Sequence, residues 1–171
     1  MILRLTNKLG KKLGFVPTDM VPPSANPFAD WTAHLFTAER VQHILVTNTA
    51  SLYSMVMYGR GIPSDSIFID RTIEYMREFM SYDNHGFIFE RLIAPQVGQI
   101  YLSKTLNRRV TGSMNDLVRL AKFDLIERNL SPFDVSFQLN EAPMSMLGFM
   151  NPCEAFESLR VTHGGSANGN C

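Results

Sequence analysis

The stretch WTAHLFTAERVQHILVTNTASLYSMVMY, residues 31–58, decides how the chain is read. Three runs stand out in it, WTAHLFTA, RVQHILVT and SLYSMVMY, separated by polar breaks at Glu39-Arg40 and Asn48-Thr49. Alternating, β-branched and aromatic side chains fit a pleated, half-buried surface, and short polar breaks between such runs read as hairpin turns. The stretch therefore predicts an antiparallel meander of three strands, ended by Gly59 and Gly61.

Upstream, ILRL alternates like a short strand, and Leu9 and Leu13 in TNKLGKKLG share one face of a short helix stopped at Gly14. Prolines at 17, 22, 23 and 27 make residues 17–30 an extended proline-rich loop that wraps across the core or acts as a lid. Downstream, Ile69, Ile73, Met76 and Met80 form the apolar stripe of a helix capped at Ser64 or Ser66. A second helical piece runs through GFIFERLIA to Pro95, GQIYLSK reads as a strand, and Met114, Leu117, Val118, Ala121 and Leu125 repeat at helical spacing. DVSFQLN alternates once more and reads as a further strand. The expected fold is α+β: an antiparallel sheet, the three-stranded meander plus further strands, packed with three to four helices. One domain spans residues 1–155, and 156–171 is expected to be a disordered tail, because its small polar residues cannot offset the entropy of ordering.

At 171 residues the chain suits one domain with a real core. Sixteen basic side chains balance sixteen acidic ones, which gives no general attraction to nucleic acid or to an anionic membrane surface. No run approaches the roughly 18 apolar residues of a spanning helix. The opening MILRLTNKLGKKLGF puts lysines where a secretion signal needs its apolar stretch. Cys153 and Cys171 match neither a disulfide framework nor a zinc spacing. Two free thiols in a reducing cytoplasm, no cofactor and no metal are the expectation.

TLNRRVTGSMNDL, residues 105–117, concentrates the hydrogen-bonding chemistry. Ser113 as a helix cap, answered by Asp116 three places on, accounts for most of it as a strand-to-helix corner, with Gly112 supplying the tight backbone. The same atoms serve as an anion receptor: free amides from Ser113 to Asn115, a glycine allowing close approach, and Arg108 beside them. Asn107, Arg108, Gly112, Ser113, Asn115 and Asp116 are the candidate ligand-binding residues. Trp31, His34, His43 and Asn48 are possible accessories, His34 and His43 falling on neighbouring strands where they could face each other. A metal there would need a register that the sequence does not fix. Trp31 is more often a core anchor than a stacking platform. His85 and His163 read as loop residues. The segment lacks the phosphate-loop spacing GxxxxGK[ST] and the nucleophile elbow GxSxG.

These segments resemble a family of small, mostly bacterial proteins described as a domain of unknown function. WTAHLFTAERVQHILVTNTASLYSMVM is similar to the family's Trp-x-Ala-Asn-Leu and following strand pair, and LNEAPMSMLGFMNP to its Leu-Asn-x-Thr-Pro-Met. Residues 105–116 are similar to Thr-x-Asn-Arg-Ser-Val-x-Gly-Ser-Met-Asn-Asp. His34 stands where the family has Asn, Asn48 near a frequent His, Arg109 for Ser, and Ala142 for Thr. The resemblance implies an α+β fold in a bacterial, intracellular setting and brings no agreed activity.

The functional expectation is a non-catalytic intracellular accessory protein that binds a protein partner or a small anionic ligand, a homodimer included. The alternative is an enzyme acting on an anionic small molecule held by Arg108 and the helix start at Ser113, with Asp116 or His34 moving a proton.

Overall fold

The computed structural model describes residues 1–162. Strand β1 (Ile2–Leu5) leads into helix α1 (Asn7–Leu13), which stops at Gly14 in the left-handed conformation, φ 73°. After the proline-rich loop come β2 (Asp30–Ala38), β3 (Val41–Asn48) and β4 (Ser54–Tyr58). Helix α2 (Asp65–Tyr82) follows, capped by Ser64. The short α3 (Gly86–Ile88) continues through a π-turn (Phe89–Ile93) and a 3₁₀ turn (Ala94–Gln96). Strand β5 (Tyr101–Lys104), α4 (Arg108–Ile126), α5 (Pro132–Glu141) and α6 (Pro152–Glu157) complete the fold.

The expected meander forms, with Glu39 and Arg40 both at positive φ, as a tight hairpin turn matched to strand twist requires. The whole sheet is mixed rather than antiparallel. Its order is β4-β3-β2-β1-β5, and β1 runs parallel to both β2 and β5. Helices among the described residues number six, not three or four. A four-residue strand such as β1 carries no sign of its direction relative to partners distant in sequence, so the parallel pairs were not legible.

DVSFQLN is helix α5, not a strand. Ser131 caps it by accepting from the Asp134 amide, and Pro132 occupies its first position. The alternation arises because α5 lies along the edge of the sheet and is apolar on two sides. At about 100° per residue, Val135 stands roughly 200° from Phe133. Phe133 and Phe137 pack into one core while Val135 and Leu139 enter the other. Between those stripes, the Asn140 amide pairs with the backbone N–H and C=O of Ser54 (2.7 and 3.0 Å), and Ser136 Oγ accepts from the Val56 N–H (2.8 Å). Side chains thus satisfy the open edge of β4.

The sheet separates two cores. Leu3, Trp31, Ile44 and Met55 meet α1, α2 and the π-turn on one face, and Phe36, Leu45 and Val56 meet α4 and α5 on the other. Across the second face runs a row of polar residues, one from each strand in register: Ser103, Arg4, Thr32, Thr47 and Ser54. All five are fully buried. Arg4 holds Asp30 through two bonds and reaches the carbonyls of Val21 and Pro22, while Ser103 Oγ accepts from the Val21 N–H. The proline-rich loop is therefore pinned across the β1–β5 end of the sheet. Residues 156–162, read from sequence as the start of the tail, belong to the packed domain: Phe156 is fully buried, and Leu159 and Val161 pack against the core. The rest of the expected tail, with His163 and Cys171, lies outside the described residues. Among the described residues, no helix is long and apolar enough to cross a membrane.

Candidate functional site

Helix α4 begins six residues before the expected start. Asn107 is its cap, with Oδ1 accepting from the Val110 amide at 3.0 Å. Ser113 is a buried residue of the second turn, and its hydroxyl donates to Met146 Sδ at 3.4 Å. The amides from Ser113 to Asn115 are inside the helix, where amides are spent on intrahelical bonds. Gly112 sits mid-helix with open space where a Cβ would project, so it makes no tight turn. Asp116 pairs with Arg119 at 3.0 Å rather than with a cap. Neither the Ser113 cap nor the alternative, an anion receptor at the amides of Ser113 to Asn115, is formed, because asparagine caps a helix as well as serine does and Val110 already belongs to the buried stripe.

Arg108, Gly112, Asn115 and Asp116 instead share the exposed side of α4. Beside them a second segment approaches the helix: Arg109 Nη2 donates to the Met146 carbonyl at 2.9 Å. Residues 144–150 close into a compact loop through Met144 N–H to Met150 O (3.1 Å) and Phe149 N–H to Met144 O (3.0 Å). Phe149 is held at φ 68°, outside the range non-glycine residues favour, and is 74% exposed. Between loop and helix lies a groove of about 430 Å³ lined by Asp116, Arg119, Leu120, Pro143, Met144, Ser145 and Phe149. Leu120, Phe123 and Met150 add exposed apolar surface beside it.

None of the accessory candidates lines this groove. Trp31 is fully buried, its Nε1 donating to the Phe28 carbonyl at 2.8 Å. Asn48 organises the β3–β4 turn: its carbonyl accepts from Ala50 N–H, Ser51 N–H and Ser51 Oγ, and its amide donates to the Pro27 carbonyl. His34 and His43 do not face each other, since His34 pairs with Leu45 and His43 with Phe36. His34 contacts Thr6 Oγ1 at 3.2 Å, and burial, with Lys8 and Lys122 nearby, lowers its pKa. His43 stacks on Phe36; burial lowers its pKa, opposed by its bond to the Val41 carbonyl.

A second cluster escaped the sequence reading. Asp83 ends α2, His85 precedes α3, and Cys153 and Glu157 lie one turn apart on α6. His85 is buried, with Nδ1 3.1 Å from Asp83 Oδ2 and Nε2 3.2 Å from Glu157 Oε1. The Tyr53 hydroxyl donates to the same Asp83 oxygen at 2.5 Å, and its ring stacks on Phe156. Cys153 Sγ is 4.0 Å from His85 Nε2. Burial alone would lower the His85 pKa, but its bonds to Asp83 and Glu157 outweigh that and raise it. Burial, then the charges of Asp83, Glu157, Glu154 and Glu141, push the Cys153 thiol up to about 11. A thiol kept protonated in electronegative surroundings is a poor nucleophile, so cysteine–histidine catalysis is disfavoured here. Only His85, two places after Asp83 at a helix end, could have hinted at this cluster.

Fold and site together define an α+β domain on a five-stranded mixed sheet, with a surface groove between α4 and the 144–150 loop. The chain belongs to the family described as Domain of unknown function (DUF6933), whose sequence model matches residues 2–155. No curated protein and no solved structure matches it.

Proposed function

We propose that the protein is a non-catalytic intracellular binding protein whose groove between α4 and the 144–150 loop receives a segment of a protein partner. The observation that carries this reading is the convergence of two segments, residues 116–120 of α4 and 143–149, on one partly apolar groove, with Arg109 tying the loop to the helix. Leu120 and Phe149 offer exposed apolar surface, and Arg108 and Arg119 stand exposed on the same helix. That combination suits a partner segment that buries apolar side chains and carries carboxylates at its edge. None of the lining side chains is a histidine or cysteine, and the carboxylate present is paired to an arginine.

The test is photocrosslinking in the cells that make the protein, with benzoylphenylalanine at position 149. A single adduct is expected, lost in Leu120→Glu, and its mass separates another protein from a second copy of this chain. No adduct, or one equally strong from a probe at Ile67 on α2, would defeat the reading.

A further inference from the structure

We propose that His85, Cys153 and Glu157 form a site for a thiophilic divalent cation of the zinc class, with Asp83 orienting the histidine. The cluster is separate from the groove and does not depend on its role. Cys153 Sγ, a His85 ring nitrogen and an Asp83 carboxylate oxygen all lie within 4.8 Å of one another. The Nε2 of His85 is 3.2 Å from Glu157 Oε1 and 4.0 Å from Cys153 Sγ. Around a tetrahedral zinc ion, with bonds of about 2.0–2.3 Å, adjacent N···O and N···S separations are roughly 3.3 and 3.6 Å. The Glu157 oxygen thus already stands at ligand distance from the nitrogen, and the sulfur has to approach that nitrogen by roughly 0.4 Å. The exposed Glu157 side chain also has to swing toward the sulfur, since the oxygen that lies within 4.8 Å of both His85 and Cys153 is that of Asp83.

The supporting groups match what a metal-bound histidine requires. Asp83 accepts from Nδ1 and leaves Nε2 as the ligand atom, while Tyr53 in turn holds Asp83. Cys153 and Glu157, four residues apart, project from one face of α6, which buried Phe156 anchors to the core. The Glu157 side chain is 61% exposed, which gives an ion an entry path and leaves a fourth position to water. A nitrogen–sulfur–oxygen set favours zinc-class ions over magnesium or calcium. On binding, a metal–sulfur bond forms as the S–H bond breaks, and a metal–nitrogen bond forms as the Nε2–H that faces Glu157 is lost; both protons pass to the buffer and no oxidation state changes.

The experiment uses the full chain without an affinity tag, carrying Cys171→Ser so that Cys153 is its only thiol, and titrates it with Co²⁺. Saturable thiolate-to-cobalt charge-transfer absorption is expected, bleached by stoichiometric Zn²⁺ and untouched by Mg²⁺. Adding Cys153→Ser should abolish it, while Asp83→Asn should keep the band but weaken affinity about 10- to 100-fold. Circular dichroism of each variant confirms that it is folded. Absence of the band, its survival in Cys153→Ser, or unchanged affinity in Asp83→Asn would overturn the proposal.

Discussion

Arg4 and Asp30 are joined by a two-pronged ion pair inside the protein, Nε to Oδ1 at 2.7 Å and Nη2 to Oδ2 at 2.8 Å, across the parallel strands β1 and β2. The Asp30 carboxylate also accepts from Thr49 Oγ1 and the Ser24 amide. A pair so enclosed costs a great deal to desolvate, and removing one partner strands the other. Arg4→Met or Asp30→Asn should each destabilise the protein by about 3–5 kcal/mol in urea denaturation, and Arg4→Met with Asp30→Leu by less than the sum. Single losses below 1 kcal/mol would mean that water already reaches the pair.

The start of α4 makes opposite predictions for neighbouring residues. Asn107→Ala removes the cap and should cost about 1 kcal/mol. Gly112→Ala, at a mid-helix site with open space for a Cβ, should stabilise by roughly 0.5–1 kcal/mol. Thermal melting distinguishes these outcomes. A destabilising Gly112→Ala would show that the helix backbone there is not as described.

Asn140, with Ser136, closes the β4 edge. Asn140→Leu leaves a buried N–H and C=O of Ser54 unpaired and should cost about 2–4 kcal/mol in urea denaturation. Faster self-association of the variant, followed by light scattering, is expected from the reopened edge. A variant as stable and monodisperse as the parent would show that the edge does not need this cover.

His34 sets a pH dependence of definite sign. Burial and the nearby Lys8 and Lys122 depress its pKa in the folded chain, so the unfolded chain takes up the proton first as pH falls. Its contribution is full above the unfolded value of about 6.5 and is lost as pH drops through the lower folded value. Between about pH 7.5 and 5, His34→Asn should therefore lose less stability than the parent. Equal slopes in urea denaturation at the two pH values would contradict this.

The meander, α1 with its Gly14 stop, and the α2 stripe were legible because each is local: alternation, a 3.6-residue period and a left-handed glycine are written in consecutive residues. Helix α5 was misread because two apolar stripes on one helix imitate the period of a strand, although Ser131-Pro132 marked its start. The start of α4 was placed too late because Ser113 and Asp116 have the spacing of a capping box, while Asn107 caps the helix two turns earlier. Cys153 and Glu157 gave no sign in sequence that they would meet His85, some seventy residues upstream.

The sequence by itself determined which segments are helix or strand over most of the chain, because those preferences reside in neighbouring side chains and the backbone between them. Only the tertiary structure decided that β1 lies parallel between β2 and β5, that Arg4 finds Asp30, and that α4 and the 144–150 loop enclose a groove. Each of these joins residues whose attraction acts only once the chain has brought them together, and no local pattern records where a distant partner will be.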